Sequence, residues 1–176
     1  MRWITLSSFT GTEVDVLTSR MSFYRFGDTD NFKTITNNPN SKLLSLLDAK
    51  LISNRPTSLE YEEAFGDPTD ILITLHGWNR IIPADICDRY NIYNVHPGDI
   101  VNYPFLKGAD PQQVAFDFKM KRSGVVIHKC TPEVDCGEIV SFRQTDIEGL
   151  NVDEITFKLR AISIEMWLVF LKEQFK

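Results

Sequence analysis

Short apolar runs alternate along this chain with stretches in which apolar residues recur every three or four positions. The runs Trp3–Ser7, Phe32–Thr36, Asp70–His76, Ile92–Val95, Ser123–Lys129 and Gly137–Phe142 predict strands, because a strand buried on both faces reads as a brief, nearly continuous apolar segment. Helices are expected between them at Thr12–Arg20, Ser41–Asp48, Pro83–Tyr90 and Pro111–Lys121. Asn151-Val152-Asp153-Glu154 has the form of a capping box ahead of a long closing helix, in which Ile155, Leu159, Ile162, Met166 and Val169 mark one face. That spacing accounts for the helix's Met and Trp as packing residues. Residues 21–31 and 50–69, rich in Gly, Asp, Asn, Pro and Ser, read as surface loops. The alternation predicts a wound α/β sheet, mostly parallel with helices on both faces, which binds ligands beyond the carboxyl ends of its strands.

Composition narrows this picture. With 176 residues and 43% hydrophobic content, the chain suits one sizeable core, so a single domain over residues 1–176 is expected. The formal charge of −5 supplies no broad basic footprint, which argues against extensive contact with nucleic acid. Met1 to Leu6 turns polar too soon for a signal peptide, and the longest apolar run, Met166 to Leu171, is too short to span a bilayer. A cytoplasmic protein without membrane contact is the expectation. Cys87, Cys130 and Cys136 lack a paired metal spacing and read as reduced thiols, with no metal site.

Two segments carry candidate chemistry. Asn94-Val95-His96-Pro97-Gly98 follows one predicted strand, and Glu133-Val134-Asp135-Cys136-Gly137 follows Ser123–Lys129. Taken singly, a His near a strand end or an Asp before Cys-Gly is commonly a packed or turn residue. Together, an amide, an imidazole and a carboxylate in one cleft can polarise a carbonyl, hold an oxyanion and move a proton, as acyl transfer requires.

These blocks closely resemble the folate-dependent formyltransferases, in which an Asn-x-His-Pro turn and a later Val-Asp-x-Gly loop carry the catalytic triad. A third block, Leu75-His76-Gly77-Trp78-Asn79-Arg80-Ile81-Ile82-Pro83, resembles the family's apolar strand, Gly-aromatic step and Arg-Ile-Leu turn. The resemblance implies a Rossmann-like catalytic domain that transfers a formyl group from 10-formyltetrahydrofolate to the primary amine of a small acceptor. No metal is needed. It places catalysis on Asn94, His96 and Asp135: His96 donating to the formyl oxygen as imidazolium, Asp135 favouring that charge and helping to carry protons, Asn94 orienting the same oxygen. It places the folate on Leu75, Trp78, Arg80, Ile81, Ile82, Ile92, Lys129, Cys130, Thr131, Glu133 and Val134, largely through backbone groups and apolar walls. Trp78 is equally well read as a core residue, and His128, at a family position near the site, as a packed imidazole.

The acceptor side, expected at Gly11, Thr12, Glu13, Pro97 and Gly98, departs from the glycinamide ribonucleotide formyltransferases. Their Ser-Gly-x-Gly-Ser-Asn loop, which wraps a phosphate, is here Ser8-Phe9-Thr10-Gly11-Thr12-Glu13, with a bulky ring and a negative charge added. An acidic residue of their closing helix corresponds to Ser163. Tyr103-Pro104-Phe105-Leu106-Lys107-Gly108-Ala109-Asp110-Pro111 resembles instead the tRNA and sugar formyltransferases. An amino-sugar nucleotide, a modified nucleotide or another small amine is therefore the expected acceptor. Glycinamide ribonucleotide is the alternative, followed by a formyltetrahydrofolate hydrolase and by a non-catalytic folate-binding protein.

Overall fold

A computed structural model describes residues 1–21 and 31–176, so the expected loop at 21–31 lies, but for its two ends, outside the described residues. In chain order the elements are β1 (Arg2–Ser7), α1 (Thr12–Met21), β2 (Phe32–Thr36), α2 (Leu43–Leu46), β3 (Lys50–Leu51), α3 (Ser58–Phe65), β4 (Ile71–Leu75), α4 (Ala84–Arg89), β5 (Ile92–His96), α5 (Pro111–Asp117), β6 (Arg122–Lys129), β7 (Ile139–Asp146) and α6 (Val152–Gln174). They form a seven-stranded sheet of order β3-β2-β1-β4-β5-β6-β7. β1 to β5 run parallel, and β6 and β7 are antiparallel to their neighbours. The fold is α/β and Rossmann-like, as the alternation of runs and periodic stretches predicts.

Side-chain alternation along the strands divides the core. Trp3 and Leu72 point to one face, where they pack with Leu17 and Met21 of α1 and with Leu159, Trp167 and Leu171 of α6. Ile4, Leu6, Ile73 and Ile92 point to the other, against Tyr61 and Phe65 of α3 and Ile86 of α4. Burying each such side chain contributes roughly 1.5–3 kcal/mol, so helices on both faces are the arrangement these two-sided strands demand.

Two expectations change. Residues 50–69 are not all loop: Lys50–Leu51 pairs with β2, and Thr57 opens α3 with a capping box in which its hydroxyl accepts from the Glu60 N–H while Glu60 reaches back to the Thr57 N–H. On α6, which Asn151 and Glu154 cap in the same way, Ile155, Leu159 and Met166 are buried but Val169 is 53% exposed. Among the described residues, no helix is long and apolar enough to cross a membrane.

The order of the strands sets up the site. The chain leaves β1 for β2 on one side and later returns to β4 on the other, so the crevice at the carboxyl ends of β1 and β4 is the topological switch point at which open α/β sheets bind ligands.

Candidate active site

β5 ends in Asn94, Val95 and His96, and β6 pairs with it antiparallel so that Asn94 lies opposite His128. Because β6 runs the other way, the loop after it starts beside Ile92, where the Cys130 N–H bonds the Ile92 carbonyl, and doubles back before Asp135. Asp135 takes a left-handed backbone conformation (φ 52°) at this turn. Two features tighten the loop: the Thr131 hydroxyl donates to the Glu133 carbonyl, and Gly137 passes so close to the Lys129 carbonyl that a Cβ would sit 1.7 Å from its oxygen.

The result is a carboxylate between two imidazoles. Asp135 Oδ2 lies 3.0 Å from His96 Nδ1 and accepts the Gly108 N–H at 2.9 Å, while Oδ1 lies 3.3 Å from His128 Nε2. Burial pushes the Asp135 carboxyl up, but hydrogen bonds from His128 and His96, the charge of His96 and the Gly108 N–H outweigh it and hold the group well below the usual carboxylate range. His96 Nε2, at 2.8 Å, faces the Leu106 carbonyl. Two acceptors therefore meet the two ring nitrogens, a pattern that only the imidazolium, with N–H at both, fully satisfies. His128 Nδ1–H donates to the Lys129 carbonyl at 3.0 Å, and the Asn94 amide nitrogen is 3.3 Å from His128 Nε2.

This geometry qualifies the role expected of His96. Its ring is 4% exposed and already committed at both nitrogens, so Nε2–H reaches a substrate oxygen only by giving up the Leu106 carbonyl. Asn94, half-buried on the cleft wall, is the more available donor.

Asn94, His96 and Asp135 line one cleft of about 490 Å³, together with Leu75, Trp78, Arg80, Ile81, Ile82, Cys130, Thr131 and Val134. Trp78 serves both readings, since it lines the cleft while its Nε1–H bonds the buried Tyr61 hydroxyl at 3.0 Å and its ring joins the core. Burial pushes that Tyr61 hydroxyl up to about 12, so it remains a neutral acceptor. The Arg80 guanidinium is tied to Asn54 and Asn79, which leaves backbone groups of residues 80 to 82 to meet a ligand. Cys130 is pushed far up by the hydrogen bond its S–H donates to Cys87 and by burial, and faces the cleft as a neutral thiol. Ile92, Lys129 and Glu133 do not line it. Ile92 shares a strand face with Asn94 but lies deeper along β5, wholly inside the core with residues of α3 and α4, whereas Lys129 and Glu133 are exposed.

A second cleft, of about 260 Å³, adjoins the first, and Gly77 and Val95 line both. Gly11, Thr12, Glu13 and Pro97 line it, as do Phe9 and Ser163. Gly98 does not; it packs against His96, where a Cβ would lie 2.6 Å from Nε2. Phe9 stacks over Gly77, in a left-handed conformation (φ 66°) where a Cβ would meet the Phe9 ring at 2.7 Å. Ser163 bonds the Leu159 carbonyl, and Glu165 turns away to pair with Arg143. His76, unmarked by any sequence signal beyond its place at a strand end, emerges here with its Nδ1 2.8 Å from Glu13 Oε1.

Comparison with known proteins places this arrangement. The chain matches the formyl transferase family over residues 33–166 and belongs to that family. It is 28% identical over 123 residues to the methionyl-tRNA formyltransferase of Thermotoga neapolitana, covering 68% of this chain and 37% of that protein. It is 38% identical over 87 residues to the phosphoribosylglycinamide formyltransferase of Dictyostelium discoideum, covering 43% of this chain and 41% of that one. The chain thus spans less than half the length of these curated relatives. The solved phosphoribosylglycinamide formyltransferase of Campylobacter jejuni shares the fold, with a TM-score of 0.79 at 19% identity over 100% of this chain and 98% of that one.

Proposed function

We propose that residues 1–176 act as one catalytic unit that transfers a formyl group from 10-formyltetrahydrofolate to the primary amine of a small-molecule acceptor, such as an amino-sugar nucleotide or a modified nucleotide. The observation that carries this reading is the convergence of Asn94, His96, His128 and Asp135 on one cleft, in a chain that belongs to the formyl transferase family.

The residues present suit the folate donor. Leu75, Trp78 and Ile82 offer apolar walls for a flat ring, and the turns at residues 80–82 and 130–134 offer backbone donors and acceptors for its edge. When bound, the donor supplies the electrophilic formyl carbon. Asn94 holds the formyl oxygen through its amide NH₂ and keeps it polarised. Asp135 stays ionised and keeps His96 cationic, which places positive charge beside the oxygen that becomes negative. As the imidazolium gives up the Leu106 carbonyl, its Nε2–H becomes a second donor to that oxygen. Asp135, remaining ionised, holds the water that relays the proton lost by the attacking amine to the donor nitrogen, whose bond to the formyl carbon breaks as the oxyanion collapses and tetrahydrofolate leaves.

The identity shared with the Dictyostelium phosphoribosylglycinamide formyltransferase supports a second reading, with glycinamide ribonucleotide as acceptor. An amine panel containing that compound and several amino-sugar nucleotides tests both. Release of tetrahydrofolate is followed spectroscopically and the formylated product is identified by mass. Formylation of an amino-sugar nucleotide supports the first reading, rapid turnover of glycinamide ribonucleotide alone supports the second, and folate binding without transfer to any amine refutes both.

A further inference from the structure

The second cleft carries two opposite charges. Glu13, in the first turn of α1, has a side chain only 14% exposed, and its Oε1 meets His76 Nδ1. His76 is itself 3% exposed and fixed from behind, with Nε2 2.8 Å from Thr74 Oγ1 and its ring 5.1 Å from that of Trp167. Thr74 Oγ1 in turn accepts the Trp3 Nε1–H at 2.8 Å. An indole only donates, so the Thr74 hydroxyl proton is free to point at His76 Nε2, which leaves Nδ1–H aimed at the carboxylate. The four side chains form one directed ladder, Trp3 to Thr74 to His76 to Glu13, reaching from the core to the cleft wall. Glu13 Oε2 accepts no hydrogen bond among the described residues. Arg160, exposed on α6, lines the same cleft and enters no salt bridge among the described residues.

A carboxylate anchored from behind cannot swing out of the way. It opposes a phosphate placed at the N-terminus of α1 and accepts hydrogen bonds from hydroxyl or amino groups, a pairing that both attracts one class of acceptor and rejects another. We propose that Glu13 and Arg160 determine acceptor specificity: the acceptor is an amine that brings hydroxyl or ammonium donors to Glu13 and a carboxylate to Arg160. His76 is the residue that positions Glu13. This rests on the formyl-transfer reading for the reaction, since Gly77 and Val95 connect the cleft to Asn94 and His96.

The test is equilibrium binding without a formyl donor, so that its outcome is independent of whether transfer occurs. D-glucosaminate, an amino polyol with a carboxylate, and D-glucosamine, which lacks one, are titrated calorimetrically. The protein is expected to bind glucosaminate at least about tenfold more tightly than glucosamine, the discrimination one charged hydrogen bond gives. Arg160→Gln should abolish that preference. Glu13→Gln, which keeps an oxygen for His76, should weaken both ligands about tenfold. His76→Leu should do the same, whereas His76→Asn, which keeps a donor near the Nδ1 position, should bind as the unmodified protein does. Unchanged binding by Glu13→Gln, a preference that survives Arg160→Gln, or inorganic phosphate binding more tightly than glucosaminate would each overturn the proposal. Glu13 and Arg160 lie at the cleft surface, so their variants decide the matter even where His76→Leu does not fold.

Discussion

Asp135→Asn is the sharpest probe of the candidate triad. The carboxylate accepts the Gly108 N–H at 2.9 Å and lies 3.0 Å from His96 Nδ1 and 3.3 Å from His128 Nε2. An asparagine in the same place offers one oxygen and turns an NH₂ toward a group that was donating, so at least one charge-assisted hydrogen bond is lost, worth about 1.5–3 kcal/mol. The negative charge that favours the His96 imidazolium is lost as well. If the combined effect falls on the transition state at about 2.7 kcal/mol, transfer slows roughly a hundredfold. The donor cleft walls formed by Leu75, Trp78 and Ile82 are untouched, so folate affinity should hold within about threefold. The assay is single-turnover formation of tetrahydrofolate with saturating amine, next to a folate titration and a thermal melt. A folded variant that binds folate and turns over at a near-normal rate, with chemistry rate-limiting, would refute the assignment of Asp135 and the mechanism built on it.

Other outcomes follow from neighbouring contacts. Gly98→Ala puts a Cβ 2.6 Å from His96 Nε2 and should lower kcat tenfold or more while leaving the folate dissociation constant unchanged, because overpacking of about 1–3 kcal/mol falls on the imidazole. Gly137→Ala, with its Cβ 1.7 Å from the Lys129 carbonyl oxygen, should cost about 3 kcal/mol or more of stability, read as a lowered midpoint in urea. Glu13→Asn should raise kcat/KM for glycinamide ribonucleotide and do less for an amine without a phosphomonoester; equal changes for both would count against a charge effect at that position. The stabilisation that Asp135 contributes, because its folded pKa is depressed, should be fully present above the ordinary aspartate value of about 3.9 and be lost as the pH falls through the folded value. The part of the unfolding free energy that comes from the titration of Asp135 itself should therefore be unaltered from pH 7 to about pH 5 and be lost only at lower pH, a fall that Asp135→Asn, with no carboxyl at this position, should lack. A loss of activity between pH 7 and 5 would then reflect protonation of the acceptor amine and not of Asp135.

The sequence reveals elements where local signals and packing agree. Ile4, Leu6, Ile73 and Val126 lie in runs whose composition allows little but a buried strand, and Asn151 with Glu154 announces α6. Residues 50–69 mislead because their Asn, Pro and Ser content is that of a loop, yet Thr57-Ser58-Leu59-Glu60 is a capping box ahead of the buried Tyr61, Ala64 and Phe65, and its spacing could have identified α3. The direction of β6 and β7 is beyond such reading, since strand composition does not record which way a neighbour runs. Ile92 is expected as an apolar wall of the folate cleft; it shares a strand face with Asn94, two residues on, but lies deeper along β5, wholly buried in the core, and periodicity does not record that depth. The Glu13–His76 contact joins residues 63 apart and leaves no periodic trace. What marks it is only that His76 stands where β4 ends and Glu13 in the first turn of the helix that follows β1.

The antiparallel pairing of β5 with β6 also bears on how the site comes into being. Asn94 and His128 meet only as cross-strand partners, and Asp135 reaches His96 only after the loop beyond β6 has doubled back. A refolding chain that has assembled β1 to β5 would possess most of the parallel sheet and much of its secondary structure without any active centre. Recovery of turnover should then lag recovery of the far-ultraviolet circular dichroism signal, with the interval between them measuring the docking of a single reversed strand.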